Sequence, residues 1–309
     1  VRNTYALTEA AIQLAIFIVL FLASLYVPLL GMMISLFLSL PFIVFTMRHG
    51  YRPALVLLTA AVIVSTLISS VLSAFAAVMF GTGGIVIGAL LAKQKNRYVV
   101  LAVATIAFLV NIVINYVVSV KFFDLDIIAQ TISVISDSFH TAVQVMESAG
   151  KKPPEATIAR FEQGLKVIKY VTPTLFVITA LAFAYLTIIV SVPILKRLKL
   201  SVGTWPPFRQ LMLPRQLVWY YLLVLIATFF PLEQGTFAFI VVINLYYVLQ
   251  LLFAIQGFSF LYYIAYRKQI AKGIVVAGTI VCLFIPFLLY LIAILGIIDL
   301  GFELRKRVQ

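Results

Sequence analysis

Of the 309 residues, 64% are hydrophobic and only 11% are charged, with a mean hydropathy of +1.15, whereas soluble domains are about half apolar and a quarter charged. A water-soluble fold is excluded. Lysine and arginine number 23 against 10 acidic residues, a net charge of +13, but the cations cluster in short loops between apolar runs, where topology and anionic lipid account for them and nucleic acid does not.

A helix needs ~20 apolar residues to cross ~30 Å of hydrocarbon. Continuous rather than alternating apolar character selects helices over a barrel. The chain therefore reads as an all-α, polytopic transmembrane helical bundle. Spans are expected at 8–29, 31–47, 53–71, 73–92, 98–120, 171–195, 217–232, 236–266 and 273–297, which makes nine, with eight as the alternative. The first run lacks a small-residue cleavage site, so it is expected to be a transmembrane helix rather than a removable signal peptide. Residues 53–92 are flanked by Arg48 and Arg52 on one side and by Lys93, Lys95 and Arg97 on the other. They are read as a hairpin, with Ser69, Ser70 and Ser73 at the bend.

Three parts follow: a five-span bundle over 1–120, an extracytoplasmic helical insertion over 121–170, and a C-terminal bundle of three or four spans over 171–309 containing a cytoplasmic loop at 196–216. Four basic loops, carrying Arg48/Arg52, Lys93/Lys95/Arg97, Lys196/Arg197/Lys199/Arg209/Arg215 and Arg267/Lys268/Lys272, fall on one side. The excess of Lys and Arg makes that side, and the N-terminus, cytoplasmic. Nine crossings would export Arg305, Lys306 and Arg307 against that rule, so the side of the C-terminus stays open. In 121–170, Ile127, Ile128, Ile132, Ile135, Phe139, Val143 and Met146 recur at helical spacing. Residues Gly150 to Pro154 break the pattern, and Ile158, Phe161, Leu165 and Ile168 resume it.

Catalytic groups do not converge: His49 and His140 fall on opposite sides, and neither is spaced with another ligand as a metal site requires. The lone Cys282 excludes a disulfide framework and reads as a core residue. No enzyme activity, metal or cofactor is expected. Gly81-Thr82-Gly83-Gly84 reads as a place of close helix contact. Span interiors are expected to hold no ionisable group, with Glu9 near the start of the first helix and Glu233 in a loop. They do hold amides. Asn111 and Asn115 share a helical face, and Asn244, Gln250 and Gln256 line the eighth span. Such amides either bond across helices or bind a small solute, and Asn111 and Asn115 are the candidate solute residues. In the proline-broken loop, Trp205, Phe208, Arg209 and Arg215 are candidates for contact with lipid headgroups or with a cytoplasmic partner.

Residues 5–120 resemble the substrate-binding S components of energy-coupling-factor vitamin transporters. The resemblance rests on the small residues Ala6, Ala10, Ala11 and Ala15, on Val27-Pro28-Leu29-Leu30-Gly31, Leu40-Pro41 and Arg48-His49-Gly50-Tyr51-Arg52, and on Gly84 and Gly88 before the Lys93–Arg97 turn. It implies that the alanine face of the first helix docks a coupling subunit. The segment 121–170 and the spans after Lys199 have no counterpart in a six-helix S component. Over its full length the chain resembles the YybS-like family of predicted bacterial inner-membrane proteins. That likeness is carried by Thr8-Glu9-Ala10, Arg48-His49-Gly50, Met212-Leu213-Pro214-Arg215, Gln256-Gly257, Leu295-Gly296-Ile297-Ile298-Asp299 and Arg305-Lys306-Arg307. Two functions are therefore expected in competition: a transporter-related, non-enzymatic protein binding a small solute, or a membrane scaffold or regulator acting through protein contacts.

Overall fold

The computed structural model describes residues 2–27, 30–151, 153–204 and 206–307. The described residues form helices joined by turns and loops, with no strand among them. In chain order the helices are α1 (Arg2–Tyr26), α2 (Gly31–Ser35), α3 (Leu40–His49), α4 (Tyr51–Ile68), α5 (Val71–Ala92), α6 (Arg97–Phe123), α7 (Ile127–Ser148), α8 (Glu155–Tyr170), α9 (Thr172–Arg197), α10 (Gln216–Ala227), α11 (Phe237–Arg267), α12 (Lys272–Phe284), α13 (Pro286–Phe302) and α14 (Leu304–Arg307). Among the described residues, seven stretches are long and apolar enough to cross a membrane: α1, α2 with α3, α4, α5, α6, α9 and α11.

The chain forms two compact units, Val1–Ile127 with Phe176–Trp205 and Ile128–Leu175 with Pro206–Gln309. This differs from division into 1–120, 121–170 and 171–309. Most of α9 belongs with the first five spans, and the α7–α8 hairpin belongs with the C-terminal helices.

In the first unit the serine bend falls where expected. The Ser70 and Ser73 side chains form a capping box at the start of α5, and Ser73 Oγ also donates to Ser65 O at 2.8 Å. Polar groups at the α4–α5 turn thereby satisfy backbone that lipid would leave unpaired. The glycine cluster works as a helix contact. A Cβ on Gly84 would lie 2.6 Å from Ser39 O, so only glycine lets α5 come this close to the start of α3, where Ser39 Oγ donates to Phe80 O at 2.7 Å. Phe17, Phe21, Phe42, Phe45 and Phe108, each at most 2% exposed, fill the centre, with Phe80 and Phe183 edge-on to one another.

In the second unit α10 runs antiparallel to α11. Leu213, before α10, bonds to Gln256, Tyr221 packs on Phe253 and Tyr246, and Thr228 and Phe230, after it, share a recess with Phe239 and Val242. The 12 helical residues of α10 cover only ~18 Å, less than the ~30 Å of hydrocarbon that a full span crosses. Tyr170, ending α8, meets Phe239 and Asn244. The α7–α8 hairpin, closed by Phe139 stacked on Phe161 at 3.7 Å, therefore joins α11 at the end away from Arg209 and Arg215.

The expected ninth span, 273–297, is instead two helices that change direction by 115° at Ile285 and Pro286. Proline at the first turn of α13 follows an extended Ile285 because proline disfavours helix in the residue before it. Thr279 of α12 meets Tyr262 of α11. Along α13, Gly296 packs on Phe253, Asp299 on Gln256, and Arg305 lies beside Ser259 and Tyr263. The pairs advance together, so α13 runs parallel to α11, and α12 and α13 start and finish at the same end of it. The C-terminal basic residues thus return to the end carrying Arg209, Arg215 and Arg267, which removes the conflict that a ninth crossing would create. In a Cys282→Ser background, single cysteines at Gly301 and Gln269 are expected to react with an impermeant thiol reagent from the same side of the membrane, and one at Gly235 from the other. Opposite labelling of Gly301 and Gln269 would restore the ninth crossing.

Candidate functional site

Two polar constellations and one groove stand out, each within a single unit. In the first unit Glu9, 7% exposed, accepts from Arg48 Nη1 at 2.5 Å and shares a hydrogen bond with His49 Nε2 at 2.7 Å. Arg48 and His49 end α3, where the helix dipole favours cations. The pair ties α1 to α3 at the start of both α1 and α4. Beside it lies an apolar groove of about 390 Å3, lined by Ala6, Leu7, Ala10, Ala11 and Leu14 of α1, Phe45 of α3, and Pro53, Val56, Leu57 and Ala60 of α4. Three of the four alanines expected to form a docking face line it. Ala15 is exposed and outside it.

The second constellation lies where no charge is expected within the apolar runs. Asp299, on the last turn of α13, has no exposed surface. Its Oδ2 accepts from Gln256 Nε2 at 2.6 Å and from Arg305 Nε at 3.0 Å, while Oδ1 has no protein partner among the described residues. Arg305 also donates to Arg209 O at 2.7 Å and Ser259 Oγ at 3.1 Å. Gln256 Oε1 accepts from Leu213 N, and Ser259 Oγ reaches Phe208 O and Leu211 O. One carboxylate and one guanidinium thus hold α11, α13, the start of α14 and the loop before α10 together. The glycines make this depth possible: a Cβ on Gly257 would stand 1.9 Å from Ile292 O, and one on Gly296 2.0 Å from Phe253 O. The signal in the sequence was Gln256-Gly257 opposite Gly296-Asp299 with Arg305 beyond, which a span ending at 297 places outside the membrane.

Several of the other candidate residues find partners in their own chain. Asn111 Nδ2 donates to Thr82 Oγ1 of α5 at 2.9 Å and to Ala107 O at 2.7 Å. Asn115, one turn on, is partly exposed. Asn244 bonds Thr174 and Tyr170 O, and Gln250 accepts from Tyr221. In the 196–216 loop, Ser201 and the carbonyls of Val202 and Gly203 meet Gln94 and Arg97. Phe208 packs edge-on to Tyr262, Arg209 lies 3.8 Å over the Tyr266 ring, and Arg215 pairs with Glu303. Trp205 lies outside the described residues. Phe208, Arg209 and Arg215 thus each contact α11 or the C-terminal segment, while Phe208 and Arg215 keep exposed surface.

Because removing one member of a buried ion pair strands the other, Asp299→Ala and Arg305→Ala are each expected to cost about 3–5 kcal/mol of stability. Asp299→Leu combined with Arg305→Met should recover much of that loss, in denaturation of the detergent-purified protein. A double-variant loss equal to the sum of the two single losses would show that the pair is not coupled.

Comparison with known proteins agrees with a membrane protein. The chain is 28% identical over 309 residues to "Uncharacterized protein YybS" of Bacillus subtilis (strain 168), covering all of both chains. No solved structure matches. The family model described as "Predicted membrane protein (DUF2232)" matches residues 15–300, nearly the whole length, and the chain belongs to that family.

Proposed function

We propose that this integral membrane protein is non-enzymatic and acts as a scaffold or regulator, with the groove between α1 and α4 receiving a helix of another membrane protein. The groove itself carries the reading. About 390 Å3 of apolar space lined by Ala6, Ala10, Ala11 and Ala60 lies outside a centre already filled with phenylalanine, and small residues allow close helix approach where lipid supplies no hydrophobic drive for association. The resemblance of the first half to S components supports the same face, since the alanine face of the first helix meets the coupling subunit in that family. The cytoplasmic N-terminus and extracytoplasmic α7–α8 hairpin belong to this reading and are supported by the distribution of Lys and Arg. Binding of a small solute by Asn111 and Asn115 has less support. Asn111 is engaged by Thr82, and the groove lacks the convergent polar groups of a solute pocket.

A photoreactive residue at Leu7 or Val56, each 72% exposed on the groove, is expected to crosslink a discrete membrane protein in intact cells. The crosslink should disappear when Ala10→Leu and Ala11→Leu fill the space, with the amount of folded protein unchanged. Adducts to lipid alone would overturn the proposal.

Asn111→Leu is expected to lower stability by about 0.6–1.7 kcal/mol as a lost interhelical bond, with the same loss whatever metabolite is present. A saturable thermal stabilisation by one compound, absent in Asn111→Leu, would instead establish solute binding, since ligand at 100 times its dissociation constant adds ~2.7 kcal/mol.

A further inference from the structure

We propose that the α12–α13 pair binds an anionic phospholipid, its headgroup at the turn between α11 and α12 and its acyl chains along α12. The inference is independent of the groove in the first unit and rests on charge and apolar surface meeting at one place. None of the 13 residues of α12 is buried; Ile274 is 67%, Ile280 50% and Phe284 82% exposed. A helix this apolar is stable only if hydrocarbon covers it. Because the chain turns by 115° at Ile285, α12 and α13 form an open V rather than a packed hairpin, and α12 keeps its side chains free for acyl chains.

At the turn into α12, at the open end of the V, Arg267, Lys268 and Lys272 fall within six residues that contain no carboxylate. Lys268 and Lys272 are exposed, and neither enters an ion pair among the described residues. The acids at this end of the unit are already committed, Asp299 to Arg305 and Glu303 to Arg215. The charges of Lys268 and Lys272 therefore have no carboxylate partner among the described residues and stand next to apolar surface, with Tyr266, 53% exposed, beside them. A phosphodiester satisfies the ammonium groups, and its acyl chains satisfy α12. A soluble phosphate would satisfy only the first, and a neutral lipid only the second. Basic sites between transmembrane helices recognise anionic headgroups in this way.

The test uses the full chain in mixed micelles, with phosphatidylglycerol, phosphatidylcholine or inorganic phosphate as probes, read by retained lipid in native mass spectrometry and by thermal midpoint. Phosphatidylglycerol alone is expected to be retained and to raise the midpoint. Retention should fall roughly fivefold for each lysine lost in Lys268→Gln and Lys272→Gln, return in the Lys268→Arg/Lys272→Arg protein, and persist in a Lys93→Gln/Lys95→Gln control. Equal response to both lipids, an equal rise with inorganic phosphate, or the same loss in the Lys93/Lys95 control would each overturn the proposal.

Discussion

Contact between the backbones of α11 and α13 at Gly257 and Gly296 is the constraint on which the second unit depends. With no side chain at either position, Ile292 O and Phe253 O occupy space that a Cβ would need, and α13 is held parallel to α11 over its length. That contact carries Asp299 into a place without solvent. A carboxylate there must find donors, and Gln256 and Arg305 supply them. Arg305 then fixes the C-terminal segment, and through Arg209 O and Ser259 it fixes the loop that enters α10. The glycines set the distance, and the buried charge sets which segments must meet across it.

The first unit solves the same problem differently. Gly84 brings α5 onto the α2–α3 junction, and the interior is filled by aromatic rings rather than by a charged network. Its ion pair, Glu9 with Arg48 and His49, sits near the end of the bundle, where the helix terminus of α3 and the adjoining basic turn compensate the carboxylate. The groove between α1 and α4 lies outside that filled interior and is lined by alanines, small residues of the kind that let helices approach closely.

The loop between α9 and α10 shows how arginine and aromatic side chains can tie a loop to its own chain while keeping exposed surface. Arg215 is neutralised by Glu303, Arg209 is covered by Tyr266, and Phe208 rests on Tyr262. All three features also fit an open membrane-binding loop. The contacts within the chain depend on the C-terminal segment returning to the same end, which is a matter of topology rather than of local composition.

What the sequence by itself determined was the class of solvent, the helical nature of the spans, the serine bend between α4 and α5, and the break between α7 and α8. Each follows from a local property: apolar length, helical period, capping chemistry or a glycine at Gly150 with φ of +75°. The roles of the amides Asn111, Asn244, Gln250 and Gln256 as ties within the protein were also within reach, because lipid leaves an amide few other partners. Tertiary structure alone decided that 273–297 turns back instead of crossing, that most of α9 joins the first unit, and that Asp299 is buried. Hydropathy measures how apolar a run is and carries no information about its direction. A reversal of 115° at Ile285 and Pro286 leaves the composition unchanged, and only the packing of Gly257 against α13 reveals which end of α11 the chain returns to.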